Sequence, residues 1–150
     1  MNGLGVFDRD GSLYPIVFEA LKRYRCTAEK RKIFLAGRPY PVIFCRPEGV
    51  KRAFCKNDFT AVISHKDSAL LDTVKRERIN AFTCGLCQKN SLTLSSFCEN
   101  EASVCLTRQY KNLLPCEFSV KCRQKLSSEQ LLLCSAALLL TVGYTECFFI

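Results

Sequence analysis

Thr83–Cys105 reads TCGLCQKNSLTLSSFCENEASVC. It holds the chain's one Cys-x-x-Cys pair, Cys84 and Cys87, followed by Cys98 and Cys105. Tetrahedral zinc takes four soft ligands, and a tight knuckle commonly supplies two, because the x-x spacing lets both sulfurs converge on one ion. Gly85 eases the backbone where its amides approach the thiolates. The spacing predicts a structural zinc knuckle on Cys84 and Cys87, completed by Cys98 and Cys105. The gap between that second pair is wider than usual, so Cys116 with Cys122, or His65, are alternative ligands. Buried free thiols and a redox pair are competing readings, the latter wanting a βαβ context with the pair opening a helix.

Working outward, Lys75-Arg76-Glu77-Arg78 leads into the knuckle through a strand-like Ile79–Phe82. Upstream, Asp67 or Ser68 can cap a helix with Leu70, Leu71 and Val74 inward and an Asp72–Arg76 pair outward. Downstream, short extended pieces fall around Leu92–Leu94, Ser103–Leu106 and Phe118–Val120. Ser127 with Gln130 is a capping box, and Gly143 is placed as a stop, so 127–143 reads as an apolar C-terminal helix.

The first third is basic. Residues 1–56 hold twelve Lys/Arg against five Asp/Glu, out of a whole-chain net charge of +8. Residues 1–12 read as a loose lead-in, and Ser12 can cap a helix through Pro15. Ile16, Val17, Ala20, Leu21 and Tyr24 share one face of it, with Lys22, Arg23 and Arg25 elsewhere. Lys30, Arg31 and Lys32 follow. Ile33–Ala36 and Pro41–Cys45 flank Gly37–Tyr40 as an expected hairpin, and Ala53–Cys55 and Phe59–Ile63 are further strands. The sum is an α+β fold in a single domain over 1–150: a small, mostly antiparallel sheet, about three helices, and a cysteine-rich segment over 84–122.

A hydrophobic content of 48% excludes whole-chain disorder. Eleven cysteines are an odd number, Met1–Ser12 has neither a basic start nor an apolar core, and no Asn-x-Ser/Thr sequon occurs. These features favour reduced thiols in a cytoplasmic or nuclear compartment over a disulfide framework. Catalysis has thin support: His65 is the single histidine, and Lys51 stands where a Cys-x5-Arg loop starting at Cys45 needs arginine. The expectation is therefore a non-enzymatic protein with no small-molecule substrate. Its cationic residues would contact phosphates, with RNA favoured, or an anionic membrane surface. Leu131–Ile150 raises a tail-anchor alternative, but its helical part spans roughly 22 Å against a hydrocarbon core of about 30 Å.

A basic run leading into a Cys-x-x-Cys and a second cysteine pair resembles the small cysteine-rich nucleic-acid-binding and silencing-suppressor proteins of plant RNA viruses. The likeness covers Lys75–Cys105, and those proteins carry a denser arginine block and a tighter second pair. It implies RNA binding by Lys75, Arg76 and Arg78 beside a zinc knuckle at Cys84 and Cys87.

Overall fold

Strands with both faces covered read as continuous apolar runs, and Phe59–Ser64 is one: all six residues are buried. The computed structural model describes residues 3–7, 11–30, 40–45 and 59–150. In chain order the described elements are β1 (Gly3–Phe7), α1 (Leu13–Lys22), β2 (Thr27–Lys30), β3 (Tyr40–Phe44), β4 (Phe59–Ser64) and α2 (Ser68–Arg76). There follow β5 (Ala81–Cys84), β6 (Leu92–Phe97), β7 (Glu101–Leu106), β8 (Cys116–Lys121), α3 (Ser128–Val142) and β9 (Cys147–Phe149).

These strands form one sheet in the order β2-β1-β3-β4-β5-β6-β7-β8-β9. The α+β class holds, with three helices among the described residues, but the sheet is not mostly antiparallel. All neighbours from β2 to β6 run parallel, as do β8 and β9; only β6–β7 and β7–β8 are antiparallel. The reason lies in the connections. A helix between β1 and β2, and another between β4 and β5, carries the chain back to start a parallel neighbour, as βαβ crossovers do. Tyr40–Phe44 accordingly pairs with β1 and β4 rather than closing a hairpin. The expected partner, Ile33–Ala36, lies outside the described residues, as does Ala53–Cys55.

The glycine-punctuated start is not a loose lead-in. Gly3–Phe7 is an inner strand whose Leu4 and Val6 have no exposed surface. Ser12 occupies the N-cap position of α1 but makes no side-chain capping bond, because its backbone is helical (φ −79°, ψ −32°) rather than extended. Asp67 does cap α2, accepting from Leu70 N at 3.0 Å. The capping box of α3 is complete: Ser127 Oγ accepts from Gln130 N, and Gln130 Oε1 from Ser127 N, both at 3.1 Å.

Strand periodicity divides the core. Val42, Phe44, Phe59, Ala61 and Ile63 face one side, under Leu70 and Val74 of α2. Leu4, Val6, Ile43, Val62 and Phe82 face the other, where α1 and α3 pack. The inner face of the antiparallel wing, with Val104, Phe118, Val120 and Phe148, joins that second cluster, so α3 is buried almost all round from Leu131 to Leu139. Each leucine so buried contributes about 1.5–3 kcal/mol of transfer free energy. Among the described residues no helix is long and apolar enough to cross a membrane.

Candidate ligand crevice at the carboxyl edge

The order β2-β1-β3-β4-β5 reverses direction between β1 and β3, and α1 and α2 lie on opposite faces of the sheet on the two sides of that reversal. In open parallel α/β sheets, the crevice beyond the carboxyl ends of the strands at such a reversal is where ligands bind. A cavity of about 550 Å³ lies there, lined by Phe44 and Cys45 at the end of β3 and Ser64 at the end of β4. Its rim is the start of all three helices: Ser12 and Leu13, Lys66–Leu70, and Ser127, Glu129 and Gln130. A second cavity of about 370 Å³ shares Ser64, Lys66 and Glu129 with the first and runs on to His65 and Cys84–Cys87. The two make one groove across the carboxyl ends of β3, β4 and β5.

The first four amides of a helix have no intrahelical acceptor. In α2, Leu70 N is taken by the Asp67 side chain and Leu71 N by the Asp67 carbonyl, which leaves the amides of Ser68 and Ala69 at the groove. In α3, Gln130 N and Leu131 N are taken by Ser127, which leaves those of Ser128 and Glu129. Two helix N-termini thus supply partial positive charge alongside the ammonium of Lys66. Against these stand the carboxylates of Asp67 and Glu129. The groove is of mixed charge rather than a cationic socket. Ser64, 6% exposed, accepts from Lys66 N at 3.3 Å and fixes the turn that delivers α2.

The loop after β5 is built by hydrogen bonds. His65 N donates to Cys84 O at 2.7 Å and Gly85 N to Leu92 O at 3.1 Å. Buried Asn90 donates from Nδ2 to Cys87 O at 2.9 Å, and Thr107 Oγ1 donates to Asn90 O at 2.6 Å. Ser91 and Thr83 exchange backbone-to-side-chain bonds at 3.1 and 3.2 Å. A Cβ on Gly85 would stand 2.6 Å from Asn90 Nδ2 and 2.8 Å from His65 Cβ, so glycine is needed for close approach.

Cys84 and Cys87 both line the second cavity, with His65. Cys84 is buried and its thiol is pushed well above the ordinary range by desolvation, whereas Cys87 is exposed. Cys98 is exposed at the far end of the β6–β7 hairpin, bonded through its amide to Glu101 O. Cys105 pairs with Thr93 and Glu117. It alternates with Val104 and Leu106, whose side chains enter the core, so it projects from the opposite face of the sheet. The structure therefore brings together Cys84 and Cys87 and not the other two. Among the described residues, no three His, Cys, Asp or Glu side chains form a group able to hold a metal ion. Cys116 and Cys122, the alternative pair, sit at the two ends of β8, their thiols raised by burial. The ten described cysteines are free thiols.

Six of the expected cationic residues lie at the opposite edge. Lys22, Arg23 and Arg25 close α1 and Lys75, Arg76 and Arg78 close α2, all six exposed to solvent. Lys30, at the carboxyl end of β2, does not share that edge, and Arg31 and Lys32 lie outside the described residues. Sequence reasoning passed over Ser64, Lys66, Asn90, Thr107 and Glu129. The helix-start residues Ser12, Asp67 and Ser127, and the candidate ligands His65, Cys84 and Cys87, do fall on the groove. No protein-family model and no curated protein matches the chain.

Proposed function

We propose that this chain is a binding module that seats a small polar ligand in the groove at the carboxyl edge of its parallel strands. The observation that carries this reading is the 550 Å³ cavity where three helices begin beyond the ends of β3 and β4. Pockets of this size, largely preformed and with a few convergent polar groups, are the usual form of small-molecule sites. The ligand is of mixed character. An acidic group would meet the amides of Ser68, Ala69, Ser128 and Glu129 and the ammonium of Lys66, while hydroxyl or amino donors would meet the Glu129 carboxylate. Binding rather than catalysis fits the site, because Asp67, Ser127 and Gln130 are committed to helix caps.

The test is an NMR titration of isotope-labelled protein with inorganic phosphate, citrate and a nucleoside monophosphate. Saturable shifts confined to the amides of Ser68, Ala69, Ser128 and Glu129, weakened in Lys66→Met, support the reading. Shifts scattered over the surface, or equal in the variant, overturn it.

A further inference from the structure

We propose that the amino edge of the parallel strands is a docking surface for a nucleic-acid phosphate backbone, seated on Arg25, Lys111 and Arg78. These are the non-glycine residues with positive φ among those described, at 57°, 51° and 53°. Glycine or asparagine takes that conformation at lower cost, and a long cationic side chain is an uncommon choice for it. Each of the three is exposed.

The topology puts all three on one edge. α1 returns the chain from the carboxyl end of β1 to the amino end of β2, and α2 does the same between β4 and β5. Both helices close on a Schellman pair with arginine in the left-handed position. In α1, Cys26 N donates to Leu21 O and Arg25 N to Lys22 O, both at 3.1 Å. In α2, Ile79 N donates to Val74 O at 3.0 Å and Arg78 N to Lys75 O at 3.2 Å. Lys111 tips a turn between Tyr110 and Leu113, which exchange backbone bonds of 2.9 Å, and this turn lies against Pro41 and Thr60 at the starts of β3 and β4. The Tyr110 hydroxyl pairs with Thr60 Oγ1 at 2.5 Å and also bonds the Asn80 side chain, two residues past Arg78. One half-buried phenol thereby ties the Lys111 turn to the Arg78 turn.

Lys22, Arg23, Lys75 and Arg76 flank these three, and Glu77, paired with Arg76 at 3.3 Å, is the carboxylate among them. Arg25 leads into β2 and Arg78 into β5, four strand spacings or roughly 19 Å apart along the edge, with the Lys111 turn against β3 and β4 between them. Double-stranded DNA presents a phosphate of each strand about every 3.4 Å of helix axis, so about six of one strand would lie along that edge. Half-exposed Tyr144, next to Gly143 at the same edge, offers a ring for base stacking.

The test is the triple variant Arg25→Gly/Lys111→Gly/Arg78→Gly, since glycine suits the left-handed backbone and leaves the fold intact, with an unfolding midpoint equal to or above wild type. Binding is read by fluorescence anisotropy with a single-stranded RNA and a DNA duplex of about twelve nucleotides per strand, at about 50 and about 200 mM salt. Wild type should bind either probe with affinity that falls steeply with salt, and the variant should lose about tenfold or more, with a salt slope smaller by about two to three. Lys75→Gln/Arg76→Gln, on the exposed last turn of α2, is the companion variant and should weaken binding in the same direction. Unchanged affinity in the folded variants overturns the proposal. So does a wild type that ignores both probes at low salt, including one that instead binds vesicles of anionic phospholipid.

Discussion

The amide of Phe149 donates a 2.9 Å hydrogen bond to the hydroxyl of Tyr24, joining residues 125 positions apart. The Tyr24 ring also meets Phe148 edge-on at 5.6 Å, and Phe148 meets Phe118 at 5.4 Å. Tyr24 follows α1, whereas Phe148 and Phe149 belong to the last strand of the antiparallel wing. The pair therefore clasps the wing over the helices that cover the parallel strands. It also occupies a donor on the outer side of an edge strand, a group that would otherwise invite pairing with another chain.

Tyr24→Phe keeps the ring and removes the hydroxyl. It should cost about 0.5–1.5 kcal/mol, the net worth of one hydrogen bond. Hydrogen exchange should quicken at Phe149 and its neighbours in β9 while α1 stays protected. Faster exchange spread evenly through the protein would show that the clasp is not local.

Leu138→Ala, in the fully buried middle of α3, should destabilise by about 2–5 kcal/mol, since truncation in a close-packed core leaves a cavity. Leu86→Ala, at a side chain 64% exposed on the rim of the groove, should change stability by less than about 0.5 kcal/mol. Urea titrations of both decide whether α3 is a core element. Equal, small effects would be incompatible with the packing described for Leu131–Leu139.

Gly85→Ala places a methyl inside the contact distance of both Asn90 and His65. The Asn90 side chain must then give up its bond to Cys87 O or the loop must move, at a cost of about 1–3 kcal/mol. Amide shifts at Cys87–Ser91 and at Thr107, whose hydroxyl holds Asn90, should report the displacement. A silent substitution would mean that the loop is looser than its hydrogen bonds imply.

Local signals for the helices were legible: Asp67 with Leu70, and Ser127 with Gln130, cap α2 and α3 as the residues suggest. The sheet was half legible. Phe59–Ile63 and Pro41–Cys45 stand out as apolar runs, yet continuous rather than alternating hydrophobicity is the mark of strands covered on both faces, and that points to parallel pairing. Gly3 and Gly5 masked an inner strand, because glycine suggests a turn when the burial of Leu4 and Val6 cannot be seen. The groove was not legible, since its walls come from segments as far apart as Ser12, Cys45, Lys66 and Gln130, joined only by topology. The Cys84–Cys87 stretch ends β5 at the groove. The residues that shape its loop, Asn90 and Thr107, have no signature of their own in the chain.

Alkaline pH should destabilise this protein through two of its thiols. Cys84 and Cys134 are fully buried, and burial pushes both far above the ordinary thiol range of 9.0, with the neighbouring Cys122 adding to the rise at Cys134. A raised folded-state pKa means that the native protein holds its proton while the unfolded chain releases it. The stabilising contribution is complete below the unfolded pKa and is lost as pH climbs past it. Stability should therefore be flat with respect to these groups up to about pH 8 and then fall by about 1.4 kcal/mol per pH unit for each thiol. Cys134→Ala, despite its lower stability at neutral pH, should lose one of the two contributions to that slope, as should Cys84→Ala. Urea midpoints between about pH 8 and 10 measure it directly. Parallel curves for wild type and both variants would assign the alkaline loss to other groups.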